Sequence, residues 1–264
     1  MAPDGRQRAG QLAMEQLEGR VSVITGAANG IGLATAQAFA REGMIVVLSD
    51  IDTESLEAAV RELRATGAAA HGVVVDVTDP LSVDALAQEI HDRFGALHVA
   101  VNNAGIVNRG LTWELDLDDW HRVLDVDLWG VIHGVRSFVP QILAHGDEGH
   151  VVNVASLAAV DVVGKLGPYT VAKHGVLGLS DVLRADLKRI DAPIGVSVVM
   201  PGLTQSKMVP VGTRPASGVA RNIVDALKTK RDYVYSDDES AERVAERLTA
   251  IMDARDEVLA DPPD

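Results

Sequence analysis

The sequence predicts an α/β protein of one domain, in which a doubly wound parallel sheet carries helices on both faces. Short β-branched apolar runs alternate along the 264-residue chain with longer segments whose apolar residues recur at helical spacing. Most of these runs are nearly continuous in valine and isoleucine, which is typical of parallel strands buried on both sides. Strands that alternate with helices are joined by right-handed crossovers, and this connection produces a doubly wound sheet.

Seven segments are predicted as strands, and the helices between them have recognisable ends. Asp79 before Pro80 indicates an N-cap followed by proline at the first helical position. Gly43 and Gly67 stand where helices are expected to end. The predicted strands are 21–25, 44–50, 71–77, 97–103, 150–156, 194–200 and 232–236.

Three further regions complete the expected organisation. Residues 1–18 are expected to form a flexible extension, and the domain to span residues 19–264. Within the domain, a short substrate lid is expected near residues 203–218. The chain is expected to end in an amphipathic helix whose apolar stripe consists of Val244, Leu248 and Ile251.

The composition argues against several classes of function. The absence of cysteine excludes disulfides, thiolate catalysis and cysteine metal sites, and is compatible with the cytoplasmic location that we expect. The formal net charge of −14 argues against a nucleic-acid partner, because such a partner requires a basic surface. No apolar run reaches the roughly 18 residues of a membrane span. The eight histidines are scattered without a ligand motif, so no metal site is expected.

Two predicted helices, 121–144 and 171–190, are rich in apolar residues on more than one side. A helix that covers one face of a sheet needs only one apolar stripe. The additional apolar surface predicts a second cover, which we expect to be the same helices of another subunit in a homodimer or homotetramer. The alternative is a cover formed by a terminal segment of the same chain.

A glycine-rich turn, TGAANGIG at residues 25–32, connects the first predicted strand to the first predicted helix. Its glycines allow a tight turn and let the backbone approach a pyrophosphate at the positive N-terminus of that helix. The spacing differs from G-x-G-x-x-G, so a purely structural turn is the alternative. The predicted cofactor contacts in this turn are Gly26, Asn29, Gly30, Ile31 and Gly32.

Asp50 ends the second predicted strand, 18 residues beyond Gly32. A carboxylate at this point can accept hydrogen bonds from a ribose diol, and it would repel the 2′-phosphate of NADP. The neighbouring predicted contacts, Ile51 and Asn29, carry no positive charge that could neutralise such a phosphate. The sequence therefore favours NAD over NADP.

Four motifs stand in order at the ends of successive predicted strands: TGAANGIG, NNAG, NVAS and YTVAK. Each motif alone is weak, but four in this order are highly specific. Through them, residues 19–236 resemble the short-chain dehydrogenase/reductase family. The resemblance implies a Rossmann-type fold and an NAD(P)-dependent oxidoreductase that transfers a hydride between a nicotinamide and an alcohol or ketone.

The resemblance also implies cofactor contacts on the later strands. The end of the third strand would hold the adenine, the N-A-G stretch would lie against the cofactor, and the loop after the sixth strand would meet the carboxamide. Each position could instead serve as an ordinary strand-end cap or turn. These contacts are Asp76, Val77, Asn103, Ala104, Gly105, Pro201, Gly202, Thr204 and Ser206.

Tyr169 and Lys173 are four residues apart, so on a helix their side chains would project side by side. The resemblance implies Tyr169 as general acid/base, Lys173 as its partner and Ser156 as the residue that orients the substrate oxygen. It places Tyr169 and Lys173 among the cofactor contacts too. Bringing a phenol pKa from near 10 towards 7 requires about 4 kcal/mol of phenolate stabilisation, and a neighbouring ammonium has the right sign and size.

Asp127 departs from the pattern, because the family usually carries a water-binding asparagine at this position of the central helix. An aspartate could simply replace the asparagine as acceptor for the water. Alternatively, its charge could raise the pKa of Lys173 and weaken the pull of the ammonium on Tyr169. The second hypothesis predicts an activity optimum at higher pH than that of an Asp127→Asn variant.

The predicted substrate is a hydrophobic secondary alcohol or its ketone. The segment after Pro201 is short, and Val163, Leu166 and Met208 are predicted as apolar walls. A different class of function is also open: a nucleotide-binding scaffold or sensor in which Asp127 has weakened catalysis. An isomerase or dehydratase is less favoured, because those relatives usually carry a larger substrate region.

Overall fold

The computed structural model describes residues 14–206, 208–209, 212–236 and 241–260. Within these residues seven strands form one sheet in the order β3-β2-β1-β4-β5-β6-β7, with every neighbouring pair parallel. The doubly wound fold is therefore confirmed. The strands are β1 Val21–Thr25, β2 Ile45–Asp50, β3 Ala70–Val74, β4 Val99–Asn102, β5 Gly149–Val154, β6 Ile194–Met200 and β7 Tyr233–Tyr235.

Helices connect the strands and cover both faces of the sheet. One layer comprises α1, α2 and α7, and the other comprises α3, α5 and α6. The predicted caps at the start of α3 are present, with the Asp79 side chain accepting a hydrogen bond from the Leu81 amide. The helices are α1 Gly30–Arg41, α2 Thr53–Ala65, α3 Pro80–Phe94, α4 Leu117–Leu124, α5 Gly130–His145, α6 Gly167–Arg189, α7 Ala216–Thr229 and α8 Ala241–Ala260.

The central strands are buried on both faces, which explains their continuous valine and isoleucine runs. In β1, Ile24 packs towards the α1, α2 and α7 layer, whereas Val23 packs towards the other layer. Neighbouring residues of β4 divide in the same way, with Val101 on the first side and Ala100 on the second. Successive side chains of a strand point to opposite faces, so both sets must be apolar.

The strand order changes direction between β1 and β4. From β1 the chain first builds outward through β2 and β3, and then returns to place β4 on the other side of β1. Helices on opposite faces leave a crevice at the carboxyl ends of strands at such a switch point. The fold therefore opens its crevice beside the glycine-rich turn that follows β1.

The structure corrects the expected flexible extension, and it describes only part of the expected lid. Met14 and Leu17 are buried, and the Met14 amide donates to the Leu227 carbonyl at 3.0 Å, so residues 14–18 belong to the packed chain rather than to a flexible extension. Residues 1–13 lie outside the described residues. Within the expected lid, Thr204 and Arg214 form an isolated parallel β-bridge. Residues 207, 210 and 211 of this segment lie outside the described residues.

The segment predicted as one helix over 121–144 is divided. A π-helical turn, Asp125–Trp129, separates α4 from α5. Such a turn holds one extra residue, and π turns are frequent at functional sites. No described helix is long and apolar enough to cross a membrane.

Candidate active site

A cleft of about 620 Å³ lies at the carboxyl ends of the central strands. It brings together the predicted site residues from eight separate segments of the chain. Gly32 is the one predicted catalytic or cofactor-binding residue that does not line it. The predicted residues that do are Gly26, Asn29, Gly30, Ile31, Asp50, Ile51, Asp76, Val77, Asn103, Ala104, Gly105, Asp127, Ser156, Tyr169, Lys173, Pro201, Gly202, Thr204 and Ser206.

The glycine-rich turn is packed too closely for larger residues. Gly26 has a φ of +63°, and a Cβ there would lie 2.7 Å from the Ala104 Cα. A Cβ on Gly32 would lie 2.2 Å from the Gly26 carbonyl oxygen and 2.6 Å from Nδ2 of Asn103. Gly32 therefore supports the turn from beneath, which explains why it is absent from the cleft wall.

Helix α1 presents its N-terminus to the cleft. Asn29 is its N-cap residue, and the Asn29 side chain makes no capping hydrogen bond. The first turn of α1 contains no acidic residue that could occupy the positive end of the helix dipole. An anion such as a pyrophosphate fits this end, because backbone amides and the dipole both favour negative charge.

Asp50 at the end of β2 is fixed by the backbone around it. Its Oδ2 accepts a hydrogen bond from the Ala28 amide at 3.0 Å, and its Oδ1 accepts one from the Asp52 amide at 3.1 Å. The carboxylate thus ties the glycine-rich turn to β2 while lining the cleft. Ile51 beside it is exposed.

The Asp76 carboxylate is engaged in its own turn as well. Its Oδ1 accepts hydrogen bonds from the Thr78 amide at 2.9 Å and the Thr78 hydroxyl at 2.7 Å. The strand-end cap foreseen as an ordinary alternative is therefore present. Val77 follows, and its carbonyl oxygen lies 2.9 Å from Nδ1 of the buried His133.

Asn103 fastens the end of β4 to the glycine-rich turn. Its Nδ2 donates to the carbonyl oxygens of Thr25 at 2.9 Å and Gly26 at 3.0 Å. The amides of Asn103 and Ala104 donate to the Thr25 hydroxyl at 3.0 and 3.1 Å. These bonds hold the two central strands in register at the floor of the cleft.

A buried ion pair lies at the inner end of the cleft. Asp127 Oδ2 is 3.0 Å from Lys173 Nζ, and the two side chains are 0% and 3% exposed. The other carboxylate oxygen of Asp127 accepts a hydrogen bond from the Ile106 amide at 2.7 Å. Lys173 Nζ also donates to the Val154 carbonyl at 3.2 Å. The π turn therefore connects α6, β5 and the loop after β4.

Burial and pairing act in opposite directions on these two groups. Burial is the largest single effect on Lys173 and disfavours its charged form, but Asp127 and Tyr169 together outweigh it, so the pKa of Lys173 is raised. For Asp127, burial raises the pKa, and the opposing effects of Lys173 and the Ile106 amide only partly offset it. Lys173 accordingly remains a cation across the neutral range.

Tyr169 and Lys173 point into the same cleft, as the helical spacing predicts. Lys173 Nζ lies 5.5 Å from the centroid of the Tyr169 ring, within the range of a cation–π contact. Ser156 follows β5 and begins a short 3₁₀ turn, where its Oγ accepts a hydrogen bond from the Ala158 amide at 3.1 Å. All three side chains border one space.

The loop after β6 closes the cleft on its other side. The Gly202 amide donates to Ser236 Oγ at 3.1 Å, and the buried Thr204 hydroxyl donates to the Gly202 carbonyl at 3.2 Å. Ser206 Oγ accepts a hydrogen bond from the Val209 amide at 3.1 Å. Pro201 is buried at the start of this loop. These contacts fix the loop at its base.

Comparison with known proteins assigns the family. Residues 20–216 match the family model for short chain dehydrogenases. The 1-deoxy-11-beta-hydroxypentalenate dehydrogenases of Streptomyces avermitilis and Streptomyces exfoliatus are each 36% identical, over 89% and 88% of this chain and 91% and 88% of theirs. The chain belongs to the short-chain dehydrogenase family. It is thus an oxidoreductase that uses a nicotinamide cofactor.

Two solved structures have the same architecture as this chain. A short-chain dehydrogenase/reductase from Burkholderia phymatum, in complex with NAD, has a TM-score of 0.88 and 32% identity, covering 95% of this chain and 99% of that one. LigO from Sphingobium, in its apo form, has a TM-score of 0.87 and 31% identity, covering 95% and 94%. The Rossmann-type fold expected from the sequence is confirmed.

The sequence prediction missed several apolar residues of the cleft, and it wrongly assigned two others to the cleft wall. Met208 lines the cleft, but the predicted apolar walls Val163 and Leu166 do not. Of the walls that were missed, two directly follow NNAG and two lie within NVAS, so these four could have been inferred from the motifs. The missed walls are Val75, Ile106, Val107, Val126, Val154, Ala155 and Val209.

One group of described side chains has the composition of a metal site. His98, His145 and Asp147 place their ligand atoms within 4.8 Å of one another. However, His145 Nε2 lies 2.8 Å from the Leu97 carbonyl oxygen, and His145 Nδ1 accepts from the Asp147 amide at 3.0 Å. Metal binding through His145 would break one of these bonds, so the cluster supports no metal centre.

Proposed function

We propose that this short-chain dehydrogenase is an NAD-dependent enzyme that interconverts a hydrophobic secondary alcohol and its ketone. The observation that carries the proposal is the convergence of Ser156, Tyr169 and Lys173 on the cleft that also contains the glycine-rich turn and Asp50. One end of the cleft offers an uncapped helix N-terminus, and the other offers a phenol beside an ammonium. A nicotinamide cofactor bound there would supply the hydride acceptor or donor.

Tyr169 would act as the general acid/base. During alcohol oxidation its oxygen would take the hydroxyl proton, and during ketone reduction it would return it. The Lys173 cation lies close enough to favour the phenolate, because opposite charges in a partly buried site attract strongly. Ser156 would hold the substrate oxygen near Tyr169 by a hydrogen bond.

Asp127 would moderate this arrangement rather than only bind a water. Its carboxylate is in direct contact with the Lys173 ammonium, so part of the positive field is neutralised before it reaches Tyr169. The same contact keeps Lys173 charged despite burial. Partial neutralisation of Lys173 disfavours the Tyr169 phenolate, whereas the retained charge on Lys173 favours it. The pH dependence of an Asp127→Asn variant shows which effect is larger.

NAD is the proposed cofactor because of the charges at the ribose end. Asp50 lines the cleft there, and Ile51 follows it. Among the described residues that line the cleft, Lys173 is the only cation, and it is paired with Asp127. A 2′-phosphate would face a carboxylate without compensation.

The proposed substrate is apolar around its reacting carbon. Ile106, Val107, Met208 and Val209 contribute apolar surface to the cleft. A relative that covers most of this chain is named for dehydrogenation of 1-deoxy-11-beta-hydroxypentalenate, which is consistent with a hydroxyl-bearing substrate.

The decisive experiment is a panel of secondary alcohols and ketones, with NADH absorbance as the readout and both NAD and NADP as cofactors. Turnover with NAD and at least one apolar alcohol, abolished by Tyr169→Phe, is the expected result. NAD binding without turnover across the panel would contradict the proposed reaction. It would favour the second candidate, a nucleotide-binding scaffold or sensor, for which the Asp127–Lys173 pair is the specific argument.

We further propose that the chain forms a homodimer or homotetramer through residues 121–144 and 171–190. Trp129 is 51% exposed on the first of these regions, and Val171 and Val182 are 49% and 59% exposed on the second. Large apolar side chains on neighbouring faces are typical of an interface between subunits. Light scattering after size exclusion would test this, and Val182→Asp should shift the protein towards monomer. A wild-type monomer at all concentrations would contradict it.

A further inference from the structure

Helix α8 is attached by an ion pair to the segment that follows Ser156. Arg243 Nε and Nη2 both donate to Asp161 Oδ2, at 2.9 and 2.7 Å. The Asp161 side chain is only 9% exposed, whereas that of Arg243 is 63% exposed. A nearly buried carboxylate is therefore compensated by a guanidinium that comes from a helix 82 residues later.

A second arginine of α8 extends the attachment to α6. Arg247 Nη1 donates to the Val160 carbonyl at 2.8 Å, and Arg247 Nη2 lies 3.0 Å from His174 Nε2. A guanidinium can only donate, so His174 Nε2 accepts, and its Nδ1–H donates to the Thr170 carbonyl at 2.9 Å. Arg247 thus bonds both to the end of the Ser156 turn and to α6.

Both segments carry candidate catalytic side chains. Ser156 opens the 3₁₀ turn Leu157–Ala159, and the turn ends in Val160 and Asp161, whose amides donate to the Leu157 carbonyl at 2.9 and 2.7 Å. On α6, Thr170 and His174 each follow one residue after Tyr169 and Lys173. The anchors of α8 are thus bonded into the same turns as the candidate catalytic residues.

The chain beyond Asp161 offers no comparable support. Val162 and Val163 are 58% and 49% exposed, and the next described contact of this loop is the bond from the Gly110 amide to the Lys165 carbonyl. The Ser156 turn packs directly on α6 in an apolar cluster that includes Ala159 and Val176. At its outer end, the two arginines of α8 add an ion pair and hydrogen bonds to this packing. Loss of Arg243 would leave the buried Asp161 carboxylate without its partner, which is costly.

We infer that Arg243 and Arg247 are positioning residues, through which α8 holds the turn bearing Ser156 against the helix bearing Tyr169 and Lys173. The catalytic consequence rests on the proposed function. Neither arginine lines the cleft, so both act through the segments that they join. An error of about 1 Å in the position of a reacting group can reduce a rate by about 100-fold.

The test compares the full-length protein with Arg243→Gln/Arg247→Gln and with Glu246→Gln, an exposed change on the same helix. Hydrogen exchange of peptides covering residues 157–161, kcat and NAD affinity are measured for each. In the double variant we expect faster exchange in residues 157–161, a kcat lower by about 10- to 100-fold and unchanged NAD affinity. Glu246→Gln should match the wild type in all three.

The outcomes separate this inference from the proposed function. Absence of turnover in the unaltered protein rejects the proposed function. In that case the hydrogen-exchange rates of residues 157–161 still test whether α8 holds the Ser156 turn in place. Turnover in the wild type with unchanged kcat in the double variant rejects the positioning role. If the double variant does not fold, Arg247→Lys replaces it, because an ammonium cannot reproduce the paired donors that bridge Val160 and His174. Wild-type exchange and kcat in that variant would reject the inference.

Discussion

Asp127 Oδ2 and Lys173 Nζ are 3.0 Å apart and almost completely buried, so the helix that carries Tyr169 is connected by charge to the π turn. A buried pair of this kind has two consequences. It fixes the lysine side chain in one place, and it reduces the net positive field that the lysine exerts on its surroundings. The remaining carboxylate oxygen is used by the Ile106 amide, so the aspartate also positions the loop after β4.

Asp127→Asn should shift the pH profile of alcohol oxidation. The substitution keeps an oxygen for the Ile106 amide but removes the charge that neutralises Lys173. The lysine then stabilises the Tyr169 phenolate more strongly, and we expect the acidic limb of kcat/KM to move to lower pH by about one unit, or about 1.4 kcal/mol. Asp125→Asn in the same turn is the control. A profile identical to that of the wild type, or displaced to higher pH, contradicts the moderating role.

Asp50→Asn should relax the discrimination against NADP. The change removes the negative charge at the ribose end of the cleft while an amide oxygen can still accept from the Ala28 or Asp52 amide. We expect the ratio of kcat/KM for NADP to that for NAD to rise by about 10-fold, which corresponds to about 1.4 kcal/mol. Steady-state kinetics with both cofactors measure it. An unchanged ratio would mean that Asp50 does not face the 2′ position.

Gly32→Ala and Gly218→Ala form a matched pair of glycine substitutions. A Cβ on Gly32 would meet the Gly26 carbonyl at 2.2 Å, so the turn must shift. Gly218 lies within α7, and a Cβ there meets only the end of the Arg221 side chain, at 3.9 Å. We expect Gly32→Ala to destabilise the protein by about 1–3 kcal/mol and to weaken NAD binding, and Gly218→Ala to stabilise it by about 0.4–1 kcal/mol.

Chemical denaturation and NAD titration of the two variants check this expectation. Equal stability of both variants would show that the turn accommodates a methyl group. In that case the close contact at Gly32 would not determine the shape of the cofactor cleft.

Much of this structure could be predicted from local sequence. The strands agree with their predicted segments to within a few residues, because burial on both faces requires continuous apolar runs. The turn after β1 was recognisable because a contact such as that between Gly26 and the Ala104 backbone excludes every side chain. Residues that meet at the carboxyl edge of the sheet could be grouped because parallel strands all end on that edge.

The remaining features depend on contacts that local sequence does not encode. The π turn leaves the apolar pattern of residues 121–144 intact, so periodicity gives no sign of the extra residue that turns Asp127 towards Lys173. Met14 is packed through a bond to Leu227, more than two hundred residues away. The attachment of Arg243 to Asp161 likewise joins distant segments, and each residue alone looks like an ordinary surface charge.

A histidine of β5 is buried with an unusual hydrogen-bond arrangement. His150 is 1% exposed, and its Nε2 lies 2.8 Å from Ser197 Oγ. The Ser197 hydroxyl donates to the Arg231 carbonyl at 2.6 Å, so His150 Nε2–H must be the donor to Ser197. His150 Nδ1 has no hydrogen-bond partner. Protonation at Nδ1 would bury an unsatisfied N–H together with a charge.

Burial, with a smaller effect of Arg184, lowers the pKa of His150 to about 3 from an ordinary value of 6.5. The unfolded chain therefore binds a proton below pH 6.5 that the folded protein does not accept until about pH 3. The resulting stability is complete above pH 6.5 and is lost as the pH falls towards 3, by at most about 1.4 kcal/mol per pH unit.

His150→Gln should remove this contribution to acid sensitivity, because an amide can donate to Ser197 and does not titrate. Denaturant unfolding from pH 7 to pH 5 should therefore show a shallower loss of stability in His150→Gln than in the wild type, whatever their difference at pH 7. His91→Gln, at an exposed position on α3, should retain the slope of the wild type. If His150→Gln and the wild type lose stability in parallel, His150 is protonated in both the folded and the unfolded state, and the hydrogen-bond assignment above is wrong.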